Sequence, residues 1–190
     1  NLGFSEQVIT SSRNIYFKGA SNTTTGITAD GNTGNDLLIG STNNDTLRGL
    51  NGNDEITGGE GNDTVEGGDG NDTLNGDGGD DTITAGDGND TVEGGDGNDT
   101  IYGSSGTNTL KGDGGDDTLN GGSGDDTIYG GDGNDTFSNL SANDKVFGGD
   151  GDDTIYGGLV NYIDAGAGDD EVKLSANQRY GNNGLTFDFL

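Results

Sequence analysis

Fourteen large apolar residues follow one another at intervals of nine: Leu38, Leu47, Ile56, Val65, Leu74, Ile83, Val92, Ile101, Leu110, Leu119, Ile128, Phe137, Val146 and Ile155. One unit is then a residue short, giving Ile163, and the period returns at Val172. A fixed period of this kind means stacked units, each too small to bury its apolar face alone. Composition by itself points elsewhere. Leu, Ile, Val and Phe make up 35 of 190 residues, and the net charge is −28. Such a chain ordinarily stays disordered, because it cannot bury enough apolar surface. The regular spacing overturns that reading.

A second column runs beside the first. Asp stands two places before the apolar residue at Asp36, Asp45, Asp54, Asp63, Asp72, Asp81, Asp90, Asp99, Asp117, Asp126, Asp135, Asp144, Asp153 and Asp170. Asn108 and, in the shortened unit, Tyr162 interrupt it. Gly crowds the first, second and fourth places, as in Gly94-Gly95-Asp96-Gly97-Asn98-Asp99-Thr100-Ile101-Tyr102. The unit is GGxGxDxUx, with U a large apolar residue. Gly permits the positive φ of tight turns. Thr-Ile-Tyr and its relatives are short β-formers, whose central residue faces away from its two neighbours. The reading is therefore six residues of turn and three of strand. Two units close one coil of a flattened solenoid, with apolar residues facing each other from two parallel sheets. Residues 31–173 make about eight coils, a roll about 38 Å long at about 4.8 Å per coil.

Charge follows the same boundaries. Residues 1–30 and 174–190 are each neutral, and residues 31–173 carry 32 acids against 4 bases, the whole of the −28. Stacking sets each Asp near the Asp eighteen residues later, and bare columns of carboxylates would repel. One large apolar residue per unit is a thin core, so a further partner must hold the folded state. Carboxylates with turn carbonyls make an all-oxygen site, which suits a hard cation such as Ca²⁺. Mg²⁺ is less apt, because it sheds water reluctantly and demands a strict octahedron. Cys, His, Met, Trp and Pro are absent. Disulfides, Cys/His zinc sites, haem ligation through His, Met or Cys, Cys nucleophiles and Ser-His-Asp triads are thereby excluded. The acidic charge opposes nucleic-acid phosphates. No apolar run reaches the length of a membrane span, so membrane insertion is not expected. No charged-then-apolar signal peptide opens the sequence.

On these repeats the chain resembles the RTX (repeats-in-toxin, hemolysin-type calcium-binding) family, over residues 31–173 as sixteen units. The resemblance implies an all-β parallel β-roll, a two-sheet β-solenoid with Ca²⁺ bound in the Gly/Asp-rich turns. Its ligands would be the sixth-place aspartates named above and backbone carbonyls of the turns. It further implies a bacterial protein that leaves the cell by type I secretion and folds in extracellular calcium. Such repeats occur in proteases, lipases, alginate epimerases, pore-forming toxins, adhesins and surface-layer proteins, so the module does not name an activity. The end Asp188-Phe189-Leu190 is similar to a type I secretion signal. It reads equally as a capping strand from Leu185 to Leu190.

Residues 1–30 and 174–190 are read as caps on the open ends of the solenoid. Ile15-Tyr16-Phe17 and Ile27-Thr28-Ala29 look like strands without Asp-containing turns. Residues 174–181 echo Leu140 to Phe147, with Tyr180 in the apolar place and Gln178 replacing Asp. The caps either only close the roll, or join one subunit to the next as a homo-oligomer or fibre, or join the roll to a lost catalytic domain. Paired carboxylates can do acid–base work, but no aromatic-walled cleft accompanies them, and no enzyme is expected. A Thr column, from Thr46 and Thr64 to Thr154, should form an outward ladder beside an irregular one. Along one edge of the roll, Asp45 to Asp170 form an unbroken row. Along the other, Asn108, the shortened unit and the Gly-free turn before Asp144 are defects. About ten strong calcium sites are expected on this count. The expected function is a non-catalytic extracellular calcium-binding structural module, such as a surface-layer, fibre or matrix component. The alternative is the C-terminal secretion and folding module of a larger secreted enzyme, toxin or adhesin.

Overall fold

Alternate repeats fall on alternate sheets. A computed structural model describes residues 25–174, apart from 142, 158, 159 and 161, together with 187–188. Within them eighteen strands follow one another, from Thr28–Asp30 to Phe187–Asp188. Odd-numbered strands form one nine-stranded sheet and even-numbered strands a second. Every neighbouring pair is parallel, and for most of the roll the partners lie eighteen residues apart, as in Leu47↔Val65 and Leu110↔Ile128. One coil is therefore two repeats, and the fold is a two-sheet parallel β-solenoid.

The apolar column is the core. Leu38 through Ile155 are all essentially inaccessible, and the two sheets press these side chains together in a single cluster. Burying a Leu, Ile or Phe contributes about 1.5–3 kcal/mol. With one such residue per nine, that core stays thin. Ala29 occupies the same column one coil earlier, opposite Leu47 and fully buried. Thr28, Thr46, Thr64, Thr82, Thr100, Thr118, Thr136 and Thr154 stand in register on the outer face of the odd sheet.

Two details differ from the sequence reading. Most strands run six residues, not three, because the ladder continues around the corner through the first three places of the next unit, as in Thr64–Asp69. The corner itself needs positive φ at the second place. Gly supplies it at Gly68 (φ 116°) and Gly131 (φ 124°), while Asp77 and Asp113 adopt it despite their side chains. Second, Tyr162 does not stand in the Asp column. It pairs with Lys145, one place further on, and Ile163 pairs with Val146. The missing residue of the short unit thus falls before the Asp place, not within it. By sequence count Asn161 is the residue two places before Ile163; it lies outside the described residues, as do Ile15-Tyr16-Phe17, Gln178 and Tyr180. At the far end Phe187–Asp188 continues the even sheet beside Ile163 and Asp164.

Close stacking makes the corner glycines unequal. A Cβ on Gly131 would run into the Asp113 carbonyl of the neighbouring coil, on a backbone that side chains resist. At Gly114 the nearest atoms are Asp96 Oδ1 at 3.7 Å and the Gly95 carbonyl at 3.9 Å. Gly131→Ala should therefore cost at least about 1–2 kcal/mol in denaturant melts of the calcium-loaded chain. Gly114→Ala should leave the midpoint nearly unchanged, and equal losses would contradict the register.

Candidate metal centre

Each turn delivers its Asp to the inside of the roll, where the chain re-enters a sheet. Asp36, Asp45, Asp54, Asp63, Asp72, Asp81, Asp90, Asp99, Asp117, Asp126, Asp135, Asp144 and Asp153 are all at most 3% exposed, and Asp170 is half-buried. The coil spacing divides them into two columns. One holds Asp45, Asp63, Asp81, Asp99, Asp117, Asp135, Asp153 and Asp170, and the other Asp36, Asp54, Asp72, Asp90, Asn108, Asp126 and Asp144. Within a column each backbone N–H donates to Oδ1 of the next coil's side chain, at 2.7 Å from Asp63 to Asp81 and 2.8 Å from Asp81 to Asp99. The same bond joins Asp90 to Asn108 at 2.9 Å and Asp153 to Asp170 at 3.0 Å.

Oδ1 is thus satisfied, but Oδ2 in most turns is not. Among the described residues, Oδ2 of Asp54, Asp63, Asp72, Asp81, Asp90, Asp99, Asp117, Asp126, Asp135 and Asp153 is buried without a hydrogen-bond partner. A buried, unpaired carboxylate oxygen is costly. These oxygens share a common surrounding. A Cβ placed on Gly76 would meet both Asp81 Oδ2 and, at 2.5 Å, the Gly94 carbonyl of the next coil. Gly58, Gly94 and Gly112 stand in the same relation to Asp63, Asp99 and Asp117, with carbonyls of the next coil at 2.9, 2.8 and 2.7 Å. First-place Gly therefore keeps open a space onto which a carboxylate oxygen and a carbonyl oxygen converge. At Asp90 that place is held by Ala85, whose methyl is fully buried.

Burial shifts the acidity of these groups. Asp81, Asp117 and Asp135 are pushed up to about 7, and Asp54, Asp63, Asp72, Asp126 and Asp153 to about 6. Asp90 and Asp99 are also raised. Loss of water is the leading cause in every case. The backbone N–H bond opposes it, and in most turns the next carboxylate of the column adds to it.

Oxygen donors alone, each with a partial or full negative charge, suit a hard divalent cation. The described residues contain no group of three or more His, Cys, Asp or Glu side chains able to hold a metal. Any cation held here would draw many of its ligands from the main chain. A separate hollow of about 840 Å³ on the outside is lined by Glu60, Asp77, Glu93, Asp96 and Asp113. It has no aromatic wall.

The sequence reading missed one structural column. The fifth place is Asn or Asp in nearly every unit. Its backbone N–H donates to Oδ1 of the preceding coil, as from Asn71 to Asn53 at 2.9 Å and from Asn98 to Asp80 at 2.9 Å. The fifth-place bonds run backward and the sixth-place bonds forward, so each turn is tied to both neighbours. Thr107 ends the outer ladder beside Asn108, where the inner column is also altered.

The family model of the RTX calcium-binding nonapeptide repeat matches the chain in four copies, over residues 30–65, 66–101, 102–137 and 140–161. A search of curated proteins finds no match.

Neutral carboxyls favour this fold when no cation is present. The folded values lie above the unfolded value of about 3.9. The stabilisation is therefore complete below about pH 4 and is lost as pH rises through 6 and 7. Circular dichroism of the chain, freed of metal on a chelating resin, should show β structure near pH 4 that disappears toward neutrality. A β signal that grows with pH would contradict the burial account.

Proposed function

The chain belongs to the RTX calcium-binding nonapeptide-repeat family, and from that membership we propose that it is a non-catalytic, extracellular structural module that folds on meeting calcium. The observation that carries this reading is the set of ten buried Oδ2 atoms without partners. A cation beside them would supply the positive partner that the main chain does not. The sixth-place aspartates from Asp36 to Asp170 are the candidate ligands, together with carbonyls such as those of Gly94, Gly112 and Gly130. About ten ions would lower the charge from −28 to about −8, which a small domain tolerates.

Calcium at the level outside a cell is sufficient for modules of modest affinity. Inside the cell the uncompensated charge would keep the chain unfolded, a state that suits export through a type I channel. Among the described residues, Thr28–Asp30 and Leu37–Ile39 are the outermost strands of the two parallel sheets at this end. Edges left open there would invite a second copy to continue the roll as a heterologous contact that can grow.

Analytical sedimentation with and without calcium tests this reading. The structural role requires concentration-dependent assemblies of the full chain in calcium that disperse on chelation. A folded monomer at high concentration in calcium would favour the folding module of a larger secreted protein instead. Asp99→Asn, in the middle of the unbroken column, should raise the calcium concentration needed for folding. An unchanged midpoint would contradict the ligand assignment.

A further inference from the structure

Four turns satisfy their sixth-place side chain without any cation, and they are not randomly placed. At Asp45, Oδ2 accepts the Ser41 backbone N–H, and the Ser41 hydroxyl lies 3.1 Å from Oδ1. At Asp144, Oδ2 accepts the Ser141 backbone N–H, while the Ser141 hydroxyl, 3.0 Å from Oδ1, lies closer still to the Gly124 carbonyl. At Asp36, Oδ2 accepts the Asn32 N–H at 2.7 Å and Oδ1 accepts Asn32 Nδ2 at 3.0 Å. At Asp36 and Asp45 one residue of the turn clamps both carboxylate oxygens with a backbone and a side-chain donor, and at Asp144 the backbone donor holds Oδ2. At Asn108 the polarity is reversed: Nδ2 donates to the Gly103 carbonyl at 3.2 Å. A hydrogen there occupies the place where other turns set two oxygens against each other.

Asp36 and Asp45 are the first members of their columns, and Asp144 is the last Asp of its own. A strand still lies on the outer side of Asp45 and of Asp144, at Thr28–Asp30 and Tyr162–Ala167, but neither is preceded by a sixth-place Asp, so these turns offer a cation fewer carboxylate oxygens. Leu140, buried against the core, adds an apolar plug beside Asp144. Asn108 stands at the internal break, next to Thr107.

We propose that these hydrogen-bond clamps are end caps of the ion columns, and that calcium is taken up only by the turns between them. The ions then lie along Asp63 to Asp153 on one edge, and beside Asp54, Asp72, Asp90 and Asp126 on the other, with a gap at Asn108. The unbroken edge and the interrupted edge are thereby unequal. The proposal rests on the calcium reading of the columns and adds which turns are exempt from it.

Equilibrium dialysis of the full chain against radioactive Ca²⁺ at saturation counts the ions. Asp45→Asn and Asp144→Asn should bind as many as the parent chain, while Asp81→Asn binds at least one fewer. Asn108→Asp, which removes the internal donor and restores an orphaned oxygen, should bind at least one more. A loss in Asp45→Asn or Asp144→Asn equal to that in Asp81→Asn overturns the caps. No gain in Asn108→Asp overturns the gap. An unchanged count in Asp81→Asn would instead sink the calcium reading itself, so the two failures are distinguishable. If a variant does not fold, calcium anomalous scattering from crystals of the parent chain decides. Ions beside Oδ2 of Asp54 to Asp90 and Asp63 to Asp153, and none at Asp36, Asp45 and Asp144, are expected, and ions at the latter three refute the proposal.

Discussion

Two columns of buried carboxylates govern this molecule. Coil stacking sets each carboxylate against the next, at a spacing where unscreened repulsion is large. Burial removes the water that would otherwise soften it, and that is why Asp81, Asp117 and Asp135 move up to about 7. Other features of the unit follow from accommodating that column. First-place Gly leaves room where oxygens converge, as at Gly76 and Gly112. Second-place Gly turns the corner, as at Gly68. A single apolar residue then suffices to space the two sheets.

Cohesion between coils comes mainly from directional bonds rather than from the core. Sheet ladders join coil to coil along six residues in most repeats. At the turns, fifth-place N–H groups bond backward to Asn or Asp and sixth-place N–H groups bond forward to Asp. Each turn is held on both sides, so stability passes from coil to neighbouring coil, as in other repeat proteins. A substitution should be felt mostly by the turn that carries it and the two beside it. The oxygen left over after this stitching, Oδ2, is the one available to a cation.

Much of this was legible in the sequence because the period is strict. The nine-residue spacing of Leu38 to Ile155 placed the core, the two parallel sheets and the two Asp columns, since alternate units must fall on alternate sheets. Tyr162 stands one place before Ile163, so it was misplaced by a miscount that the sequence itself corrects, and its pairing with Lys145 agrees. Other features needed the backbone path. Six-residue strands were read as three because Gly-Gly-Asp has the composition of a turn while its N–H groups still continue the ladder. The fifth-place Asn and Asp column was visible as a pattern, at Asn53, Asn62 and Asn71 among others, but was absorbed into the turn. The turns of Ser41 and Ser141 depart from the Gly pattern, a signal that was read only before Asp144 and only as a defect, and the donors themselves were not visible. They depend on which way one N–H points, a matter of φ that Ser does not reveal.

The central claim is that the folded roll at neutral pH requires a cation beside its buried carboxylates. A calcium titration of the metal-free chain, followed together by circular dichroism and by small-angle X-ray scattering, tests it most directly. The account predicts an expanded chain without β signal before calcium, and a cooperative gain of β signal with compaction to a rod as calcium is added. Mg²⁺ at equal concentration should restore much less. A compact, β-rich rod that persists at neutral pH after complete chelation would contradict it.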